Sequence, residues 1–223
     1  MSSRRRLVVL GVAAACLAVV VVLAWMVSWD RSPLDAIDHG GKSAEDFSDD
    51  HALLTSFLRL VEVSFATIGM IVWTTIVAMV MLNRRQPRAA AWVVAVMMTT
   101  SMSTTFLKGL LARGRPNWQD HTDLLTSKSF PSGHASATAA LAGILIVLVW
   151  THLRPSTMRW TVTALLVAIL LVVCLDRVLL GRHYPTDVVA GSALGVAVML
   201  IGLVVFKPVP VMSPPDEFIT SGR

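Results

Sequence analysis

The chain has 223 residues, 55% of them hydrophobic and only 15% charged, and its mean hydropathy is +0.68. That balance excludes an ordinary soluble domain and places the chain among integral membrane proteins. Its formal net charge of +5 is divided among short clusters, which leaves no long basic face for nucleic acid.

Arg4, Arg5 and Arg6 precede an apolar run over residues 7–27. Secretory signals have apolar cores of about 7–15 residues followed by a small-residue cleavage site. This run is longer and no such site follows, so a retained transmembrane helix closed by Trp25 and Trp29 is expected. Residues 30–50 are the longest polar stretch, with acids at Asp30, Asp35, Asp38, Glu45, Asp46, Asp49 and Asp50 and a Gly40-Gly41 pair that reads as flexible. Residues 51–82 exceed the roughly 20 a helix needs to span. The pattern predicts an interfacial turn or two, capped by Ser48 or Asp49, and a crossing from about Leu60. Arg59 and Glu62, three apart, read most simply as a local ion pair, with Glu62 lining a site as the lesser alternative.

A basic turn over residues 83–88 leads to a third span at 89–111, a polar loop at 112–130 and a fourth span at 132–150. A second basic turn at 152–159 is followed by a fifth span at about 160–180 and a sixth at 186–206. Residues 207–223 hold four prolines and few apolar residues, the composition of a disordered tail. Cys16 and Cys174 sit inside apolar runs, without metal-site spacing or a disulfide's loop position. The expected fold class is all-α: a six-helix membrane domain over residues 1–206. Six spans put both termini on one side. The basic turns containing Arg84, Arg85, Arg88, Arg154 and Arg159 share it, and the positive-inside rule makes it cytoplasmic.

This topology brings the unusual residues to the other, outer face. Lys108 ends the third span and Arg115 follows it; Pro131-Ser132-Gly133-His134 opens the fourth; Arg177 ends the fifth; His183 and Asp187 flank the start of the sixth. Cations at a bilayer edge need a reason. Snorkelling accounts for any one of them, but not for several helix ends converging with two histidines and an Asp. Neutral imidazole is both nucleophile and proton carrier near pH 7. A carboxylate four residues on can hold its ring, and a guanidinium offers a fork of donors to phosphate. The Pro-Ser-Gly start leaves free backbone N–H groups and a positive dipole end, an anion-binding arrangement.

Lys108 with six residues before Arg115-Pro116, then Pro131-Ser132-Gly133-His134, then Arg177 with five residues before His183 and three before Asp187, resembles the three-part signature of the type 2 phosphatidic acid phosphatase superfamily. The match runs over residues 108–187, and size and composition look like the family's bacterial membrane branch. The resemblance implies that His183 is the nucleophile, forming a phosphohistidine, that Asp187 orients it, and that His134 protonates the leaving group. It implies phosphate binding by Lys108, Arg115, Arg177, Ser132 and Gly133, with no metal and no cofactor. The expected substrate is a lipid phosphate or diphosphate within the bilayer: a polyprenyl diphosphate such as undecaprenyl diphosphate, phosphatidate or phosphatidylglycerophosphate.

One position departs from the pattern. Asp176 stands where the signature usually has Ser, so it either turns away or pairs with Arg177 or Arg182. Arg113 and Arg182 are extra cations at the mouth, suited equally to receiving a diphosphate or an anionic headgroup and to interfacial anchoring. Two further readings use the same residues: a lipid phosphotransferase, which an acceptor assay discriminates, and an anion-binding membrane protein without turnover, against which the intact His183, Asp187 and His134 argue.

Overall fold

A computed structural model describes residues 2–29, 33–119 and 127–208. The described residues form eight helices in the order α1 (Ser3–Val27), α2 (Asp35–Asp49), α3 (Ala52–Ser64), α4 (Thr67–Asn83), α5 (Pro87–Leu111), α6 (Gly133–His152), α7 (Ser156–Leu179) and α8 (Pro185–Phe206). Five are long and apolar enough to cross a membrane, and α3 with α4 makes a sixth candidate if the bent pair is one span. The tail expected beyond residue 208, with Asp30 and Arg31, lies outside the described residues.

Helix α8 is the centre of the bundle. Its apolar window is 56% buried, against 11% for α1, and it packs on α1, α5, α6 and α7. Small residues permit this: a Cβ on Gly191 would sit 2.4 Å from the Ser132 carbonyl oxygen, and one on Gly195 2.1 Å from that of Ser136. The α6–α8 contact therefore closes backbone to backbone. Beside it, Trp92, Val93 and Val96 of α5 meet Ala140 and Ile144 of α6 in the apolar core.

Local chemistry sets the helix ends. Pro87 and Pro185 occupy first helical turns, where a missing N–H costs nothing. Ser132 caps α6, its hydroxyl accepting from the Ala135 N–H at 3.5 Å. At the start of α8 the Asp187 carboxylate accepts from the Tyr184 N–H at 3.1 Å, the return half of a capping box. At the far ends, Ala112 and Lys207 adopt left-handed geometry and stop α5 and α8.

Two expectations need correction. The acidic stretch around Gly40-Gly41 is not a flexible loop but the helix α2. Its Asp38, Gly41, Glu45 and Ser48 are buried at helical spacing, and it packs on α3, α7 and α8. Gly41 serves packing: a Cβ there would lie 3.3 Å from Pro185 Cδ. The second correction concerns residues 51–82. In place of an interfacial turn or two ahead of the crossing there is a 13-residue helix α3, then a break at Phe65-Ala66 and α4 at 56° to it.

Candidate active site

The ends of α5 and α7 and the starts of α6 and α8 meet at one end of the bundle, with α2 and α3 beside them. The α7–α8 turn uses Gly181 at φ +60, a backbone state glycine enters without steric cost. It carries Arg182 and His183 inward, and the His183 N–H donates to the Arg177 carbonyl at 3.0 Å.

His183 is almost fully enclosed. Its Nδ1 lies 3.5 Å from Asp187 Oδ2 and 3.4 Å from Ser129 Oγ, so Nδ1 carries the proton toward Asp187 and Nε2 is left for chemistry. Burial pushes the imidazole down to about 4, against the opposing pull of Asp187. Asp187 itself is held on every side. The Ser129 hydroxyl donates to Oδ2, the Tyr184 N–H reaches Oδ2 at 3.1 Å, and Arg113 Nη1 meets Oδ1 at 2.6 Å.

Arg113 is where the sequence reading needs revision. It neither anchors at an interface nor faces outward for a diphosphate. Its second nitrogen pairs with Asp38 of α2 at 2.5 Å, and Asp38 in turn accepts from the Thr186 N–H at 3.2 Å and the Thr186 hydroxyl at 2.9 Å. Burial works against the Arg113 charge, but Asp187 and Asp38 raise the guanidinium above its ordinary range. Asp38 and Ser129 were not singled out from the sequence. Asp38 is one acid among seven in an acidic stretch, and only the burial of α2 distinguishes it.

Lys108 and Arg115 stand over the segment that leads into α6. Lys108 Nζ donates to the Lys128 carbonyl and, at 3.3 Å, to that of Ser129. Arg115 donates to the Ser127 carbonyl at 2.7 Å, its hydroxyl at 2.8 Å and the Arg182 carbonyl at 2.5 Å. Burial, with Arg177 and Arg182 nearby, draws the Arg115 guanidinium down to about 10, against the carboxylates of Asp187 and Glu62. The start of α6 is tied in through the Ser132 N–H, which donates to the Asp187 carbonyl at 2.9 Å.

Arg177 is 1% exposed and engaged by two carboxylates. Asp176 Oδ2 accepts from its Nε at 2.6 Å and also from Nη2; of the alternatives for Asp176, pairing with Arg177 is the one observed. Glu62 Oε1 takes Nη1 of Arg177 at 2.9 Å and lies 3.2 Å from Nε of Arg182. Glu62 is thus a site residue, with its partners on and after α7. His134, on the first turn of α6, donates from Nε2 to the Glu62 backbone carbonyl at 3.2 Å. Among the described residues no three His, Cys, Asp or Glu side chains gather as a metal-binding group.

A groove of about 690 Å³ runs from this cluster between α4 and α5. Met70, Ile71, Met97, Met98 and Met102 are among the apolar residues lining it, and Lys108, Gly133 and His134 close its polar end.

A family model described as the PAP2 superfamily matches residues 89–209. Decaprenylphosphoryl-5-phosphoribose phosphatase of Mycobacterium tuberculosis is 37% identical over 98 residues, 41% of this chain and 47% of that protein. The lipid A 1-phosphatase of Rhizobium etli is 28% identical over 137 residues, 56% of this chain and 55% of that protein. The chain thus spans about half the length of these curated relatives. The crystal structure of a transmembrane PAP2 type phosphatidylglycerolphosphate phosphatase from Bacillus subtilis superposes with a TM-score of 0.77 at 20% identity, covering 90% of this chain and 98% of that one.

Proposed function

Because the chain belongs to the PAP2 superfamily, we propose that it is a membrane lipid phosphatase acting on a phosphomonoester or diphosphate of a lipid. The observation that carries this reading is the meeting of two environments: a buried His183–Asp187 pair among cations, and an apolar groove whose polar end is Lys108 and His134. A lipid chain fits the groove while its phosphate reaches the cations. The relatives' names, all of lipid or prenyl phosphate phosphatases, support the substrate class.

In the proposed reaction, Nε2 of neutral His183 attacks phosphorus in line with the leaving oxygen. The P–N bond forms as the P–O bond to the lipid (or its terminal phosphate) breaks, and His134 gives the leaving oxygen its proton. Water then attacks the phosphohistidine, His134 takes up the water's proton, and inorganic phosphate departs. Asp187 stabilises the imidazolium character that develops on His183. Lys108, Arg115 and Arg177, with the Ser132 hydroxyl and the backbone N–H groups at Gly133, balance charge on the phosphoryl oxygens, the main requirement of phosphoryl transfer. Neither step calls for a metal. We place both termini in the cytoplasm and the site on the extracytoplasmic face, following the exposed basic turns.

The test is phosphate release by purified protein in excess EDTA from undecaprenyl diphosphate, phosphatidate and phosphatidylglycerophosphate, beside His183→Ala. Turnover in EDTA that drops at least about 10³-fold in the variant is expected, the loss typical of a missing nucleophile. No release from any lipid by folded protein would favour phosphotransfer or binding alone. Release that persists in the variant would remove His183 from its role.

A further inference from the structure

The cations that are to receive a phosphate are already occupied, and the occupant is a carboxylate on a broken helix. Glu62 spans Arg177 and Arg182, with Oε1 at 2.9 Å from Arg177 Nη1 and 3.2 Å from Arg182 Nε, and Oε2 at 3.4 Å from Arg182 Nη2. Two oxygens of one anion set across two guanidinium groups is also how phosphate oxygens are held. Asp176 does not share this position. It is fully buried on the same helix as Arg177 and grips the Nε side of the fork, so it stays with Arg177 whatever binds.

Glu62 differs from Asp176 in its setting. Its side chain is 17% exposed against 1% for Arg177, and it lies in the last turn of α3, just before the break at which the chain turns by 56° into α4. The groove begins at the same break, since Phe65 and Thr67 line it. The Glu62 backbone carbonyl also holds His134 Nε2 at 3.2 Å. A displacement of this one turn would take the carboxylate from Arg177 Nη1 and Arg182 and the backbone carbonyl from His134 together.

We propose that Glu62 is a specificity-determining latch: in the empty protein its carboxylate stands in the place of the substrate's phosphoryl oxygens on Arg177 and Arg182, and an entering phosphate displaces it at the α3–α4 break. This rests on the reading of Arg177 as a phosphate-binding residue. With Glu62 seated, Lys108, Arg115, Arg177 and Arg182 face three carboxylates, Glu62, Asp176 and Asp187. With it withdrawn they face two, and the excess of two positive charges suits a bound dianion. Glu62 therefore competes with oxyanions, and only those that outbid it are held.

The experiment compares orthovanadate binding by wild-type protein and Glu62→Gln, by calorimetry and by inhibition of phosphate release. Gln keeps the shape and removes the competing charge, so vanadate should bind on the order of tenfold tighter, a change of about 1.4 kcal/mol, with a lower KM. A residue that merely orients the arginines gives the opposite sign: weaker or unchanged vanadate binding by Glu62→Gln overturns the latch. Hydrogen exchange on the wild-type protein supplies a second readout that needs no variant. Amides of residues 62–66 should exchange faster with vanadate present, and unchanged protection there also overturns the latch. Wild-type protein that neither binds vanadate nor releases phosphate sinks the phosphatase reading instead.

Discussion

His183 shows how one side chain's surroundings set its chemistry. An imidazole ordinarily titrates at 6.5, and burial lowers this one to about 4 although Asp187 pulls the other way. The folded protein therefore binds fewer protons at this site than the unfolded chain between those two values. The site's contribution to stability falls as pH drops through that window and is fully kept above it. The same shift holds the ring neutral, hence nucleophilic, throughout the physiological range. Histidine-labelled protein followed by carbon NMR, with His183→Asn to assign the signal, should show a His183 midpoint near 4. A midpoint at about 6.5 would mean a ring open to water, and one above it would mean that Asp187 outweighs burial. Residues 108, 115, 132, 133, 134, 177, 183 and 187 could be named from the sequence because their spacing resembles a family signature, and the fold brings them to one end of the bundle. Glu62 was read only as a lesser alternative, and Asp38 and Ser129 were not singled out. Their partners lie 115, 75 and 58 residues away, and no local spacing encodes a pairing across such a distance.

At the scale of the element, the α6–α8 contact brings the two halves of the site together. His183 and Asp187 enter with α8, while Ser132, Gly133 and His134 enter with α6. Two glycines fix their separation: a Cβ at Gly191 or Gly195 would approach a backbone carbonyl oxygen to 2.4 or 2.1 Å, and backbone has no rotamer with which to retreat. Gly191→Ala and Gly195→Ala should each push α8 away from α6. The strain expected is about 1–3 kcal/mol, and a misplacement of about 1 Å costs on the order of 10²-fold in rate. Gly109→Ala and Gly114→Ala, where a Cβ meets nothing within 4 Å, are the controls. Turnover and thermal unfolding measured on all four decide the matter, and full activity in Gly195→Ala would show that the close approach is dispensable. Unbroken apolar runs and the one Pro-Ser-Gly start made the long spans legible to within a few residues. Helix α2 escaped notice because its buried face is made of Asp38, Gly41, Glu45 and Ser48. Composition marks such residues as loop, and only the partners supplied by Arg113, α7 and α8 make their burial favourable.

For the whole molecule, the basic residues at the two ends stand in different surroundings. At the site end Arg113, Arg177 and Arg182 are folded against Asp38, Asp187, Asp176 and Glu62, so their charges are matched within the protein. At the opposite end Arg84, Arg85, Arg88 and Arg154 are exposed, as are Arg4, Arg5 and Arg6. Cations in short exposed turns are the ones that bias insertion, which argues for a cytoplasmic location of that end. The position of α2 makes the idea testable, because Ser43 is exposed at the site end and Asn83 is exposed at the far end of α4. Each is changed singly to Cys in a chain whose Cys16 and Cys174 are Ala, and intact cells are treated with a membrane-impermeant maleimide. Ser43→Cys should react at once and Asn83→Cys only after permeabilisation. The reverse pattern would invert the orientation and put the site in the cytoplasm. Reaction of both in intact cells would carry a different message, since α3 and α4 are the helices between these positions: the bent pair would then enter and leave the bilayer on one face, leaving five crossings.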